Sequence, residues 1–255
     1  MKMRNLGGIA AATLLAAHGL ASADPVELFH DDFERGSVKP QWSGNTLLNF
    51  ESRASFSWFS GRYTNDTVTL TLPAYLPPRD DTNGGDGGSG GSGDDGSGGG
   101  GSGGDGSGDG GKGGDGNTVR YSLLFDLYII DSWDGDDSGF GRDEFGVAVN
   151  GNPLFRESFA NQHTGQSFRE PDLGRWHMGF NNARPDSIYR NIELGFTVEA
   201  AERTLRIDFT GYGLQTLSDE SWGIDNVRVY AEVVPAPGSL AVMSLAGLGL
   251  ARRRR

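Results

Sequence analysis

Apolar and polar side chains alternate with a period of two along most of the chain. In "TVTLTL" the apolar residues Val68, Leu70 and Leu72 fall on one face of an extended strand, and "RTLRIDF" repeats the pattern. Similar segments are "LLNF", "SFSWF", "VRYSLLFDLYIID", "EFGVAVNG", "ESFAN", "RWHMGF", "IYRNIELGFTVE" and "WGIDNVRVYAE", separated by Gly, Asn, Asp and Pro. The pattern predicts an all-β fold, an antiparallel jelly-roll-like β-sandwich of about ten strands.

Two local signals refine this prediction. Asn150 and Gly151 form the dipeptide that supplies positive φ angles at a tight hairpin turn. In "WGIDNVRVY" the apolar residues change phase after Ile224, which predicts a β-bulge near Asp225 and Asn226.

Residues 83–117 interrupt the strand pattern with a run of Gly, Ser and Asp that contains no apolar side chain. Such a segment buries nothing that would offset its ordering entropy, so it is predicted to be a disordered loop. Strand-like sequence lies on both sides, and neither half completes a sandwich alone. We therefore expect an insertion at a loop tip within one β-sandwich domain, residues 24–234.

Both ends of the chain have the composition of processed segments. Residues 1–23 place Lys2 and Arg4 before an apolar run and end in a small-x-small pattern, which predicts a helical signal peptide cleaved between Ala23 and Asp24. Residues 235–255 combine a proline-flanked spacer, an apolar run at 240–251 and four arginines. As a short hydrophobic helix the run measures about 18 Å against a membrane core of roughly 30 Å, enough only for a transient anchor.

The charge of the chain limits its partners. The net charge is −12 and both ends contribute only basic residues, so the body between them is more acidic still. An acidic body repels phosphate backbones, which argues against nucleic-acid binding and favours divalent cations as counter-charge. The chain has no cysteine, which excludes disulfides, thiolate metal sites and a cysteine nucleophile.

An acidic loop, "DSWDGDDSGFGRDEFG", is the first candidate for a calcium site. Asp134, Asp136 and Ser138, followed by Gly139, reproduce the first half of a calcium loop in which alternate side chains converge on one hard cation. The twelfth position is Phe145 rather than the bidentate glutamate of such loops. A solvated acidic turn is the alternative interpretation.

The terminal strands of the domain provide a second candidate. Asp32 lies in "FHDDFE" near the start, and Asp225 lies at the predicted bulge near the end. Because bulges redirect side chains, these two carboxylates could share a cation; the alternative is a structural bulge in which they bond to nearby backbone.

The sequence contains no convincing catalytic pattern. Matches to the G-x-S-x-G nucleophile elbow lie only in the Gly-rich segment, away from the strand and helix that the elbow requires. Asp126 and Asp131 lie on opposite faces of a regular strand, unlike the paired carboxylates of jelly-roll glycosidases. Trp133, within the acidic loop, is expected to be partly exposed and able to stack on sugars. We therefore expect a non-enzymatic binding protein.

The last segment, "VVPAPGSLAVMSLAGLGLARRRR", resembles the PEP-CTERM sorting signal of Gram-negative bacteria. The matching residues are Pro235, Ala236, Pro237, Arg252, Arg253, Arg254 and Arg255, with Ala236 in the place where the usual motif has Glu. The resemblance implies export, transient inner-membrane anchoring and processing by an exosortase, with signal peptidase acting at the other end. It also implies delivery to the cell surface or the exopolysaccharide matrix.

The body of the chain resembles concanavalin-like or laminin-G-like sandwiches in the short motifs "DDFE" and "WGIDNVRVY". The resemblance implies a surface domain that binds carbohydrate or adheres. Our first hypothesis is an exported, non-enzymatic surface or matrix protein that binds calcium and extracellular polysaccharide. The alternatives are a glycan-active enzyme of jelly-roll type and a self-associating structural component of the surface.

Overall fold

The computed structural model describes residues 24–52, 56–77, 118–136, 139, 141–162, 165–199 and 201–234. The predicted signal helix, the Gly-rich insertion, the hydrophobic tail helix and Ser138 lie outside these ranges. Across the described ranges, no helix is long and apolar enough to cross a membrane.

The described residues form eleven β-strands, close to the predicted number. They are β1 (Val26–Asp31), β2 (Leu48–Phe50), β3 (Trp58–Tyr63), β4 (Thr67–Pro73), β5 (Thr118–Asp131), β6 (Glu144–Val149), β7 (Asn152–Ser158), β8 (Leu173–Trp176), β9 (Asp186–Thr197), β10 (Thr204–Tyr212) and β11 (Glu220–Val234). The strand predicted over "ESFAN" is wrong: only its first two residues belong to β7, which begins directly after the hairpin turn. The strand predicted over "RWHMGF" ends at Trp176.

The strands form two antiparallel sheets. The seven-stranded sheet has the order β2-β3-β11-β5-β9-β8, with β1 also paired to β11, and the four-stranded sheet has the order β4-β10-β6-β7. The connection from β4 to β5, which contains the Gly-rich insertion, therefore joins one sheet to the other. This arrangement confirms the predicted antiparallel β-sandwich.

The main core lies between the two sheets. Alternate residues of β4 and β10 that the sequence placed on one face, including Val68, Leu70 and Phe209, are completely buried. Phe209 contacts Phe125 of the facing sheet edge-to-face, with 5.5 Å between ring centroids. This interdigitation of aromatic and branched side chains holds the sheets together.

A second, smaller core covers the outer face of the seven-stranded sheet. Its buried members are Phe56, Phe59, Tyr128, Ile130, Met178 and Ile188. Because successive side chains of a strand point to opposite faces, Leu127 and Ile129 of β5 fill the main core while Tyr128 and Ile130 fill the second. The second half of β5, residues 125–131, is thus buried on both faces.

Both predicted local signals are confirmed. Asn150 and Gly151 have φ angles of 49° and 80° and form the two-residue turn between β6 and β7. The β5–β11 register shifts between Asp225 and Arg228, and Asn226 has a φ of 51°, so a bulge lies where the change of apolar phase predicted it.

The two ends of the sandwich differ in what they carry. At one end, which we name the acidic end, β5 finishes at Asp131 opposite the first residue of β11, Glu220. At the other end, Val234 pairs with Thr118 and Val26 pairs with Ala231. The described chain therefore enters and leaves at the end opposite the acidic end.

Candidate metal centre

Three carboxylates from separate parts of the sequence converge at the acidic end. Asp134 follows β5, Asp143 immediately precedes β6, and Glu220 begins β11. One oxygen from each side chain lies within 4.8 Å of the others. We name these three residues the carboxylate cluster.

Strand pairing explains why the three residues meet. The antiparallel register places Glu220 opposite Asp131, so β11 begins where β5 ends. Asp134 forms an antiparallel bridge with Ala160, and the Phe159 N–H donates to the carbonyl of Asp143. The segment after β7 thus holds the residues before β6 against those after β5.

Two glycines allow the backbone to close around the cluster. Gly135 has a φ of 73°, and a Cβ there would lie 2.0 Å from the Gly165 carbonyl oxygen. Gly213 has a φ of 80°, and a Cβ there would lie 2.1 Å from the Arg142 carbonyl oxygen. Both positions require the left-handed conformation and the small volume that glycine provides.

The cluster is buried and bonded mainly to amides. Asp143 and Glu220 are 2% and 0% exposed. The Asp143 carboxylate accepts from the N–H groups of Asp134 and Gly135, and Glu220 accepts from the backbone and side-chain amides of Gln215 at 2.6 and 3.2 Å. Among the described residues, no lysine or arginine forms an ion pair with Asp143 or Glu220.

The nearby arginines are engaged elsewhere. Arg142 binds Asp136 at 2.6 Å and Glu144 at 3.0 Å, and Arg156 binds Glu144 at 2.6 Å. In the part of the chain that the structure describes, these arginines therefore do not neutralise Asp143 or Glu220.

Burial and mutual repulsion raise the pKa values of the cluster. Desolvation, with the neighbouring Asp134 and Asp219, raises the pKa of Asp143 to about 6. Desolvation, with Asp143 and Asp134 nearby, raises the pKa of Glu220 to about 7. At 4.8 Å, the upper bound on the separation of these oxygens, two unit charges would repel by about 3.5 kcal/mol at an effective dielectric constant of 20, so bound protons or a cation would stabilise the site.

The structure separates the residues of the predicted calcium loop. Asp134 belongs to the carboxylate cluster, whereas the Asp136 side chain is 33% exposed and forms the ion pair with Arg142. Hydrogen bonds from Ser158 and Arg142 lower the pKa of Asp136. Ser138 lies outside the described residues. Sequence spacing thus found one of the three converging carboxylates.

The second predicted pair, Asp32 and Asp225, has a different environment. Asp225 accepts from the Tyr128 hydroxyl at 2.9 Å and from the Asn226 N–H at 2.7 Å. Asp32 is half-buried and accepts from the Glu34 N–H at 3.3 Å. Among the described residues, this pair belongs to no group of three converging ligands. Desolvation raises the pKa of Asp225 to about 7.

A buried ion pair lies beside the cluster. Arg62 donates to Asp131 at 2.6 Å and lies over the Phe180 ring, 4.5 Å from its centroid. Asp186 accepts from the N–H groups of Asp131 and Met178. Asp131 and Asp186 are fully buried and fixed by these contacts, so they tie β3, β5 and β9 together.

The prediction that Trp133 is partly exposed is wrong. Its side chain is completely buried, contacts Phe159 edge-to-face and donates from Nε1 to the Ser221 carbonyl at 2.9 Å. Trp176, on the edge strand β8, is instead 63% exposed. Exposure was expected because Trp133 lies within the acidic loop, but this part of the loop packs against the core.

Comparison with known proteins does not assign the chain to a family. No family model matches the chain, and no curated protein matches it. Among solved structures, the chain is similar to dimeric latent PorU from Porphyromonas gingivalis, with a TM-score of 0.37 and 13% identity. The similarity covers 82% of this chain and 13% of the PorU chain, so this chain spans a small part of that protein's length.

Proposed function

We propose that this chain is an exported, non-enzymatic cell-surface or exopolysaccharide-matrix protein whose β-sandwich binds calcium at the carboxylate cluster and also binds carbohydrate. Export and surface delivery are supported by the composition of residues 1–23 and 235–255. The Arg-rich tail and its Pro-x-Pro spacer would direct sorting.

The convergence of three buried carboxylates is the observation that carries the calcium proposal. Calcium binds six to eight oxygen ligands at about 2.3–2.6 Å, so ligands on opposite sides lie up to about 5 Å apart. The three carboxylate oxygens of the cluster lie within 4.8 Å of one another, which fits this range. Asp134, Asp143 and Glu220 offer oxygens only, which favours a hard cation over zinc.

A binding role, and not catalysis, is supported by the contacts of three buried carboxylates outside the cluster. A glycosidase requires two carboxyl groups that both reach the sugar. Asp131 and Asp186 are enclosed with Arg62, and Asp225 is bonded to Tyr128.

Calcium titration of two matched variants tests the proposal. Glu220→Gln removes one carboxylate from the cluster. Asp225→Asn removes a buried carboxylate that lies outside the cluster and whose pKa, like that of Glu220, is raised to about 7. Isothermal titration calorimetry of the full chain should show calcium binding about tenfold weaker in Glu220→Gln and unchanged in Asp225→Asn. Equal binding by both variants would contradict the proposed ligands.

A further inference from the structure

Trp176 differs from every other described tryptophan. Trp42, Trp133 and Trp222 are buried and Trp58 is half-buried, whereas Trp176 is 63% exposed. Among the described aromatic residues, Phe50 is also mostly exposed, but its ring packs against Trp58 with 5.2 Å between ring centroids. A large aromatic ring held in solvent loses the stabilisation that burial would give it.

A constrained backbone presents this ring. Gly174 and Arg175 have φ angles of 145° and 60°, and the β8–β9 register shifts between Gly174 and Trp176. A Cβ at Gly174 would lie 2.6 Å from the Cα of Ser187, so glycine is required there. Positive φ at Arg175, a non-glycine residue, is a local strain of the kind that concentrates at functional sites.

The residues on either side of Trp176 along the chain are polar and are held in place by contacts of their own. The Arg175 guanidinium binds Gln166 at 3.1 Å and Glu170 at 3.3 Å. The exposed His177 contacts the Arg184 carbonyl through Nδ1 at 2.7 Å, and Arg184 pairs with Asp219 at 3.6 Å. The residues directly before and after Trp176 in the chain are therefore polar and fixed in position.

Trp176 lies at the same end of the sandwich as the carboxylate cluster. It pairs with Asp186, which accepts from the Asp131 N–H, and Asp131 pairs with Glu220. Three strand spacings, about 14 Å, separate β8 from β11. The ring and the cluster thus share the end opposite the one at which the described chain enters and leaves.

We infer that Trp176 is a stacking platform for a sugar ring of a polysaccharide. The inference rests on the proposed carbohydrate binding and names its site. A pyranose offers an apolar C–H face for stacking on an indole and hydroxyl groups for hydrogen bonds to polar side chains, a chemistry that fits a single exposed aromatic with polar residues beside it in the chain. A protein partner would favour a larger apolar patch, and the net charge of −12 disfavours nucleic acid.

Affinity electrophoresis tests the inference. The full chain is run in gels containing dextran, alginate or chitosan, which are neutral, acidic and basic polysaccharides. At least one should retard the protein, with apparent affinity about tenfold lower in Trp176→Ala and partly restored in Trp176→Phe. Phe50→Ala, which removes an exposed aromatic from the opposite edge strand, should bind like the unchanged protein.

Tryptophan fluorescence gives a second readout. Because Trp176 is the most exposed tryptophan described, the retarding polysaccharide should reduce quenching by iodide, and this protection should disappear in Trp176→Ala. Retardation by none of the three polysaccharides, or equal retardation of Trp176→Ala, would overturn the inference. Calcium titration of Trp176→Ala separates the two proposals, because loss of glycan binding should leave calcium binding unchanged.

Discussion

Five buried carboxyl groups have pKa values above their ordinary range, and desolvation is the largest cause in each. The pKa is raised to about 7 for Asp131, Glu220 and Asp225 and to about 6 for Asp143 and Asp186. In the unfolded chain these groups titrate near pH 4. The native state therefore binds more protons than the unfolded state between about pH 4 and pH 7.

This difference predicts the pH dependence of stability. A carboxyl group whose pKa is raised in the native state stabilises the fold. This stabilisation is fully present below the pKa of the unfolded chain, near 4, and is lost as the pH rises through 6 to 7. In the presence of chelator, the free energy of unfolding should fall between pH 5 and pH 8. The carboxyl of Asp136, whose pKa is lowered, loses its contribution only in more acidic solution, outside this window.

Urea denaturation at constant ionic strength measures this slope. Asp225→Asn should flatten it because one of the raised groups no longer titrates. A free energy of unfolding that increases from pH 5 to pH 8 would contradict these protonation states.

Only part of the site could be predicted at this scale. Asp134 stood out because it begins a run of alternating acidic residues, a local pattern. Asp143 and Glu220 become its neighbours through the pairing of β11 with β5 and the fold of the segment after β7, which single-sequence spacing does not encode. The same limit explains the wrong exposure expected for Trp133, whose Nε1 partner is Ser221.

At the scale of elements, turns and strand faces were predictable because their signals are local. The Asn150-Gly151 turn follows from the preference of this dipeptide for positive φ angles. The bulge at Asn226 follows from the change in the alternation of apolar residues along β11. The second core was not predicted, although the near-continuous apolar run of β5 is typical of a strand buried on both faces. What covers its outer face, such as Phe56 and Met178, depends on long-range packing.

The Gly-rich insertion should be dispensable for folding. It connects β4 to β5, and the described residues on either side, 74–77 and Thr118, line a cleft of about 410 Å³ at the end opposite the acidic end. Loop-closure entropy changes by about 0.6 kcal/mol for each doubling of length, so replacing residues 84–116 with a four-residue turn should stabilise the domain by at most about 2 kcal/mol.

Thermal unfolding followed by circular dichroism measures the effect of this replacement. The shortened chain should retain one cooperative transition at a similar or slightly higher temperature. Loss of the cooperative transition would show that the segment contributes to the fold.

At the scale of the whole molecule, the two ends of the domain carry different features. The first and last described strands begin and finish at one end, and the carboxylate cluster and Trp176 lie at the other. A protein held by its tail would therefore direct the proposed binding surface away from the point of attachment.

Removal of both ends of the chain is the corresponding prediction. Residues 1–23 and 235–255 resemble processed segments, so mass spectrometry of native surface material should recover an N-terminal peptide that begins at Asp24. Peptides that end in Arg255 should be confined to the membrane fraction. Their recovery from extracellular material would contradict the sorting proposal.

The central claim is that calcium neutralises the carboxylate cluster, and thermal unfolding of the full chain tests it most directly. Chelator, calcium and magnesium are compared at pH 8 and matched ionic strength, which separates coordination from general screening. At one hundred times its dissociation constant, calcium should stabilise the native state by about 2.7 kcal/mol and raise the melting temperature by roughly 5–10 °C. Glu220→Gln should lose most of this increase and Asp225→Asn should keep it. Equal increases with calcium and magnesium, or an equal increase in both variants, would contradict a calcium site at Asp134, Asp143 and Glu220.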